Sequence, residues 1–237
     1  MSLPSNPVKR GLYSFTTGLF ASISSIILGM YEATLNIEIQ GEEHLLMASA
    51  LDNRYILTVW HSFVDAAAFV FHSKNILIYS DHPRTLRYEK SMAHFFREVG
   101  IKTLHNRGFQ VLDASLGKQS SAIIHFIKKI KDGNAALIAP DGPHGPIYKA
   151  KPGSVFIGGK TGSPIIPLGF AFSRKIQGPN WDDFSLPLPF SKIIVMVGEP
   201  LDAPQDSTKL KEFSLILENR LDMLCFKANN ILNGDEP

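Results

Sequence analysis

The hydrophobic and polar positions of the chain form short apolar runs that alternate with longer amphipathic segments. Apolar or β-branched runs predict strands, and apolar residues recurring every three or four positions predict helices. The predicted strands are Thr34–Gln40, Tyr55–Trp60, Asn75–Tyr79, Lys102–His105, Ala135–Ala139, Pro164–Ser173 and Lys192–Val197. The predicted helices are Glu42–Leu51, Ser62–His72, Thr85–Val99 (ended by Gly100), Ala114–Lys131 and Thr208–Leu232. This alternation predicts an α/β fold, a mostly parallel mixed sheet covered by helices on both faces.

The N-terminal segment Gly11–Tyr31 differs from the rest because its 21 residues carry no charge. A helix of this length spans about 31 Å, close to the thickness of the hydrocarbon core of a bilayer. Its apolar stripe consists of Leu12, Phe15, Leu19, Ile23, Ile26 and Met30. The opposite side carries small residues, namely Ser14, Thr17, Gly18, Ala21, Ser22, Ser25 and Gly29.

Three interpretations of this segment compete: a cleaved signal peptide, a helix buried in a soluble fold, and a helix that embeds in or across one membrane face. We favour the third, in which the small-residue face packs on the protein. Lys9 and Arg10 precede the segment and favour the cytoplasmic side for its N-terminal end. The sequence thus predicts residues 1–33 as a membrane-associated helix and residues 34–237 as one α/β domain.

Composition excludes several classes of protein. With 44% hydrophobic and 19% charged residues, the chain is neither a disordered protein nor a multi-span membrane protein. Its single cysteine, Cys225, excludes an intramolecular disulfide and a cysteine-based zinc site. None of the eight histidines has a metal-binding spacing, and a net charge of +2 gives no reason to propose nucleic acid as a partner.

Candidate chemistry lies where predicted strands end, because ligands of such sheets bind at the carboxyl ends of the strands. His61 follows a buried strand, and Asp65 comes four residues later on the same face of the predicted helix. An imidazole oriented by a carboxylate is a general base for a hydroxyl; the alternative is a structural histidine beside a solvated acid. Arg107, followed by Gly108, could bind a phosphate with two hydrogen bonds; the alternative is a surface ion pair.

Three further segments are candidates for the walls of a site. Pro140–Pro146 (PDGPHGP) forms a rigid loop directly after a buried strand and presents Asp141 and His144. Prolines at both ends of Pro164–Pro167 indicate a sheet edge or a pocket wall. Gly178–Phe190 is too irregular for an element and too apolar for a free linker, so we interpret it as an ordered loop packed near the site.

In their order along the chain, these segments resemble the lysophospholipid acyltransferase superfamily, and in particular a small bacterial branch first catalogued as a domain of unknown function. Its blocks here are Trp60-His61, Arg107-Gly108, Asp141–Pro146, Pro164–Pro167, Pro189-Phe190 and Gly198-Glu199-Pro200. The match runs from about Gly41 to Pro204. Its specific part is the Asp-Gly-Pro block combined with the Pro-Phe pair.

The resemblance implies transfer of a fatty acyl group from a thioester to a hydroxyl of a lysophospholipid or related membrane lipid. The donor would be acyl-CoA or acyl carrier protein, with no cofactor and no metal. His61 would be the general base, helped by Asp65, and backbone amides near His61 or Gly142 would stabilise the oxyanion. Substrate-binding residues would be Arg107, Gly108, Asp141, Gly142, Pro143 and His144. The implied location is the cytoplasmic face of the inner membrane.

This sequence departs from the wider superfamily at two positions. The superfamily has an Asp five residues after the His, whereas Ala66 stands there in this chain and Asp65 comes one residue early. Either Asp65 still reaches the imidazole, or Asp81 or Asp141 orients it, or the pair is incomplete. His144 stands where the superfamily has a phosphate-binding Arg. Two other functions fit the same fold, a non-catalytic lipid-binding protein and an acyl-thioester hydrolase.

Overall fold

A seven-stranded mixed sheet forms the centre of the protein. The computed structural model describes residues 7–50, 54–72, 74–80, 92–113, 119–142, 144–178 and 181–235. The strands are β1 (Asn36–Gln40), β2 (Ile56–Thr58), β3 (Leu77–Ser80), β4 (Gln110–Asp113), β5 (Ala136–Ile138), β6 (Ile165–Phe172), β7 (Lys175–Gln177), β8 (Ser185–Pro187) and β9 (Lys192–Val197). The main sheet has the order β1-β9-β6-β2-β5-β3-β4, and β7 and β8 form a separate antiparallel pair.

Strand direction gives the sheet two chemically different edges. β6, β2, β5, β3 and β4 are all parallel, whereas β9 pairs antiparallel with β6, and β1 is parallel to β9. The carboxyl ends of the five parallel strands therefore share one edge, which we call the carboxyl edge. This architecture is the predicted α/β fold with a mostly parallel mixed sheet.

Helices cover the sheet and connect its parallel strands. They are α1 (Pro7–Glu32), α2 (Glu42–Ala50), α3 (Val64–Val70), α4 (Met92–Asn106), α5 (Gln119–Lys131), α6 (Pro152–Thr161) and α7 (Leu210–Asn233). α7 packs across β6, with Leu217 and Leu221 fully buried. A side chain on Gly169 of β6 would overlap the backbone of Leu224, so this position requires glycine for the close approach of helix and strand.

The predicted end of α4 at Val99 is wrong, and this error affects the site. α4 continues through Gly100 to Asn106, so the predicted strand Lys102–His105 is helical and the next strand is β4. The helix continues because Val99 and Thr103, four residues apart, are both buried on its inner face, whereas Gly100 is exposed. A glycine at an exposed helical position costs only about 1 kcal/mol, which packing of the inner face offsets.

The prolines of Pro164–Pro167 do not mark a sheet edge. β6 lies between β9 and β2 and is buried along its whole length. Pro164 and Pro167 lie at the amino-terminal end of β6, on the side of the sheet opposite the carboxyl edge. The predicted position of this segment at an edge strand or pocket wall beside the other motifs is therefore wrong.

α1 packs along α4 through its small-residue face, as the sequence predicted. Thr17 and Ala21 are fully buried, and Lys102 of α4 donates hydrogen bonds to the Thr17 hydroxyl (2.6 Å) and to the Ser14 carbonyl (3.2 Å). By length and composition, the segment Gly11–Glu32 could cross a membrane, and little of it is buried in the protein. All six residues of the predicted apolar stripe are exposed, namely Leu12, Phe15, Leu19, Ile23, Ile26 and Met30.

Candidate active site

His61 lies at the carboxyl edge, immediately after β2. The chain turns there into a short 3₁₀ helix, His61–Phe63, which leads directly into α3. The His61 backbone N–H donates to the carboxylate of Asp141, with N–O distances of 3.1 and 3.4 Å to its two oxygens. Because Asp141 follows the neighbouring strand β5, this contact ties together two strand ends and fixes the direction in which His61 leaves the sheet.

The imidazole of His61 is oriented by Asp182. Its Nδ1 lies 2.7 Å from Asp182 Oδ2, and the two side chains are 35% and 8% exposed, respectively. Asp182 belongs to the loop between β7 and β8, where its other oxygen accepts a hydrogen bond from the Phe184 backbone N–H. A buried carboxylate on Nδ1 fixes the tautomer and leaves Nε2, in a partly exposed ring, to act on a reactant.

Asp65 is not the carboxylate that is hydrogen-bonded to the imidazole. Both residues lie in the described part of the chain, yet Asp65, on the first turn of α3, makes no hydrogen bond to His61. Burial raises the pKa of the Asp65 carboxyl group and the charge of His61 acts in the opposite direction, so Asp65 still interacts electrostatically with the imidazole. The prediction assumed one regular helix from Ser62, whereas His61 is the first residue of a 3₁₀ turn. The tighter 3₁₀ turn alters the angular relation of positions 61 and 65.

Trp181 lies against the imidazole from the residue preceding Asp182. The ring centroids of Trp181 and His61 are 5.1 Å apart at an interplanar angle of 47°. The indole also fills the space above Gly145, where a Cβ would lie 2.6 Å from Trp181 Cε3. Gly145 has φ of 63°, a region that glycine adopts without strain. The absence of a side chain at 145 thus makes room for the indole.

The Asp-Gly-Pro loop supports the backbone of the site. Asp141 is fully buried, and burial raises the pKa of its carboxyl group, while the hydrogen bond from the His61 amide acts in the opposite direction. The Gly142 amide donates to the carbonyl of Ala139 at 3.1 Å. The amides of His61 and Gly142, which the sequence suggested for an oxyanion, are therefore both bonded within the protein.

A second set of contacts holds the loops around His61. The Ser62 hydroxyl donates to the backbone carbonyl of Asp182 and lies 3.3 Å from the Tyr148 hydroxyl. The indole N–H of Trp60 donates to Asp222 of α7 at 3.1 Å. These bonds join the end of β2, the Asp-Gly-Pro loop, the β7–β8 loop and α7 into one frame.

Arg107 and Gly108 lie away from this site. Because α4 extends to Asn106, they precede β4 and belong to the edge opposite His61. The Arg107 guanidinium pairs with the carboxylate of Glu32 at the end of α1, and both side chains are about nine-tenths buried. The predicted placement of Arg107 at a strand's carboxyl end is therefore wrong, and the residue joins α1 to α4.

The remaining predicted residues divide into exposed and undescribed ones. His144 is exposed on the Asp-Gly-Pro loop. Pro143, predicted to bind substrate, and Asp81, one of the alternative acids, lie outside the described residues. Within the described ranges, no group of three or more His, Cys, Asp or Glu side chains has the arrangement of a metal site.

Sequence reasoning missed Asp182 and Trp181 as individual residues, although it placed their segment near the site. Gly178–Phe190 was predicted as an ordered loop without an element of its own; its described part contacts His61, but Ser185–Pro187 in it forms strand β8. The signal was available in the pair Trp181-Asp182, an aromatic next to an acid in a stretch rich in proline and aromatic residues. Nothing local relates that pair to His61, because the contact spans 121 positions of the chain.

Comparison with known proteins gives limited matches. No model of a known protein family matches the chain, so its place in the small bacterial branch stays a prediction. An uncharacterized protein of Rickettsia prowazekii, RP090, is 35% identical over 103 residues, which are 43% of this chain and 47% of that protein. The match thus spans about half the length of this relative.

Among solved structures, the chain is similar to the 1-acyl-sn-glycerophosphate (LPA) acyltransferase PlsC from Thermotoga maritima. The two share 16% sequence identity, with a TM-score of 0.49, and the alignment covers 88% of this chain and 78% of that one.

Proposed function

We propose that this protein is a membrane-associated acyltransferase that moves a fatty acyl group from an acyl thioester to a hydroxyl of a lysophospholipid or related lipid. The observation that carries the proposal is the pair His61 and Asp182, a partly exposed imidazole whose Nδ1 lies 2.7 Å from a buried carboxylate. The resemblance of the Trp-His and Asp-Gly-Pro blocks to the lysophospholipid acyltransferase superfamily gives the reaction class.

In the proposed reaction, His61 acts as the general base. Its Nε2 takes the proton of the lipid hydroxyl while the oxygen attacks the thioester carbonyl carbon. The tetrahedral intermediate collapses as the carbon–sulfur bond breaks, and the thiolate receives the proton from the imidazolium. The new carbon–oxygen bond is the ester of the product. Asp182 stays ionised throughout and stabilises the imidazolium in between.

The donor follows from the chemistry of a thioester, and the acceptor follows from the exposed apolar face of the N-terminal helix. A thioester is already activated, and its thiolate leaves readily, so the proposed reaction requires neither a cofactor nor a metal. Acyl-CoA and acyl carrier protein are both suitable donors. The acceptor is a membrane lipid with a free hydroxyl, because the site belongs to a protein whose N-terminal helix exposes an apolar face.

The exposed stripe of α1 supports association with a membrane. One face of α1 packs on α4, while Leu12, Phe15, Ile26 and Met30 on the other face are each more than 60% exposed. A surface of this kind is stabilised by contact with lipid rather than water. Because the basic pair Lys9-Arg10 lies in the first turn of α1, we propose the cytoplasmic face of the inner membrane as the location.

A single assay tests the proposal and separates it from its rivals. The protein is incubated with a labelled acyl thioester, with and without vesicles of total lipid extract. Lipid-dependent formation of a labelled lipid ester supports the transferase. Free fatty acid alone would instead indicate a hydrolase, and no turnover of the thioester would indicate a lipid-binding protein without catalysis.

Substitution of the proposed base tests the assignment of His61. His61→Ala should lower acyl transfer by several orders of magnitude while the protein stays folded, because no other base replaces the imidazole. His125→Ala, which removes an exposed histidine on α5, is the matched control and should retain activity. Near-normal transfer by His61→Ala would overturn the assignment of the base.

A further inference from the structure

The position of Trp181 has a chemical consequence for the proposed transferase. A general base that activates a lipid hydroxyl can also activate water, so the same site could produce either a lipid ester or a free fatty acid. The outcome depends on what occupies the space beside the imidazole, because exclusion of water from a site suppresses hydrolysis.

Trp181 occupies part of that space. Its ring centroid is 5.1 Å from that of His61, and the next residue, Asp182, holds Nδ1 of the same imidazole. The indole is nevertheless 40% exposed, so a large apolar surface faces outward directly beside the proposed base. Such a surface is unfavourable for water and favourable for a hydrocarbon chain.

The indole is held in its place by the opposite loop. A Cβ on Gly145 would lie 2.6 Å from Trp181 Cε3 and 2.9 Å from Cζ3, so the ring edge fills the gap left by the missing side chain. The Ser62 hydroxyl fixes the same segment by donating a hydrogen bond to the backbone carbonyl of Asp182. Trp181 is therefore a fixed wall of the site.

From these contacts we infer that Trp181 determines the acceptor of the acyl group: its exposed face binds hydrocarbon of the lipid substrates beside His61 and keeps water from competing for the thioester carbon. The inference rests on the proposed function and adds to it a residue that decides between transfer and hydrolysis.

The test compares both products of one labelled acyl thioester in the presence of lysophospholipid vesicles. In the wild-type protein, lipid ester should exceed free fatty acid. Trp181→Ala should raise the ratio of free fatty acid to lipid ester about tenfold or more, because an opened wall admits water. Trp181→Phe should restore most of the wild-type ratio. Phe226→Ala, which removes an exposed aromatic ring of α7, is the matched control and should leave the ratio unchanged.

Gly145→Ala gives an independent route to the same outcome. The added methyl group must displace the indole, so the ratio should shift in the same direction while Trp181 itself is retained. A ratio unchanged in both Trp181→Ala and Gly145→Ala, with only the total turnover reduced, would overturn the inference and leave the proposed function intact. Thermal unfolding of each variant verifies that the compared proteins are folded.

Fluorescence separates a failure of the inference from a failure of the proposed function. An imidazole in contact with an indole alters the emission of the indole, so His61→Gln should change the emission of the wild-type protein more than it changes that of Trp181→Phe. An equal change in both proteins would overturn the contact and the inference. If the contact is present but the wild-type protein converts the thioester to neither product, the proposed function fails and the inference fails with it.

Discussion

Substitution of Asp182 by asparagine tests which carboxylate serves His61. Asp182 is 8% exposed and lies 2.7 Å from Nδ1, whereas Asp65 interacts with the imidazole through its charge and makes no hydrogen bond to it. Asparagine has nearly the same shape, and its single oxygen can still accept from Nδ1–H, so Asp182→Asn removes the charge and retains this bond. It loses only the longer bond from the Phe184 N–H, at 3.4 Å.

The expected magnitude follows from the charge that is lost. When His61 takes a proton, an imidazolium forms about 4 Å from the centre of the carboxylate charge, where the attraction amounts to about 4 kcal/mol at an effective dielectric constant near 20. Because the imidazole is one-third exposed, solvent screens part of this attraction, and about 2 to 4 kcal/mol is a reasonable range. The rate of acyl transfer should therefore fall roughly 30- to 1,000-fold.

The assay measures single-turnover transfer of a labelled acyl group from the thioester to lysophospholipid vesicles, which avoids contributions from product release. Asp65→Asn is the matched comparison, because it removes a second acid whose charge acts on His61 without a hydrogen bond, and should lower the rate less than Asp182→Asn does. A large loss in Asp65→Asn together with a small one in Asp182→Asn would refute the assignment of Asp182.

Three further substitutions test other parts of the structure. Burial raises the pKa of Asp141, so folding disfavours its ionised form. The wild-type protein should therefore lose stability relative to Asp141→Asn as pH rises through the folded-state pKa, by about 1.4 kcal/mol per unit of pKa difference. A free energy of unfolding in urea that depends on pH in the same way for both proteins from pH 4 to 8 would contradict this. Arg107→Ala removes the guanidinium from the nine-tenths buried Glu32, whose carboxylate keeps His72 Nε2 at 3.8 Å, and should cost about 3 kcal/mol, or roughly 6–12 °C in Tm, with an unchanged KM for lipid. A raised KM at unchanged Tm would instead restore the role in headgroup binding. Leu19→Lys on α1 should weaken sedimentation with anionic vesicles about tenfold or more, whereas the control Ile124→Lys, at a more exposed position on α5, should not. Equal binding of both variants would refute the proposal that α1 contacts the membrane.

The fold and the strand-end part of the site could be predicted from local sequence patterns. His61 and Asp141 both follow short apolar strands, and in a parallel sheet this alone places them at one edge. The small-residue face of α1 likewise predicted close packing, which Thr17 and Ala21 make against α4. In each case the relevant information lies within a few positions of the residue itself.

The errors arose where the structure depends on contacts between residues that are far apart in the sequence. Gly100 is typical of a helix end, so the sequence predicted a strand where the last turns of α4 lie. Because of this error, Arg107 was predicted at the wrong edge of the sheet. The burial of Thr103 that keeps the helix intact is a tertiary contact and has no signal at Gly100. Asp182 was missed for the same reason, since its partner His61 is 121 positions away.

The C-terminal turn of α1 belongs to the frame of the site as well as to the helix with the exposed apolar stripe. Tyr31 donates through its hydroxyl to the carbonyl of Pro187 in β8, directly after the loop that carries Asp182, and its ring packs edge-on against Phe69 of α3. α3 in turn continues from the 3₁₀ turn of His61. One end of the exposed helix thus contacts both segments from which the proposed catalytic pair comes.

This arrangement separates two roles that deletion of α1 would confuse. Loss of the whole helix would remove the exposed apolar stripe and the Tyr31 contact together, so lost activity could reflect either. Leu19 is three turns from Tyr31 and faces away from the protein, so Leu19→Lys changes only the surface offered to lipid. If membrane attachment serves mainly to bring the acceptor to His61, this variant should retain turnover of substrates presented in detergent micelles while losing turnover on vesicles. Equal losses in both would mean that the helix acts on the site itself.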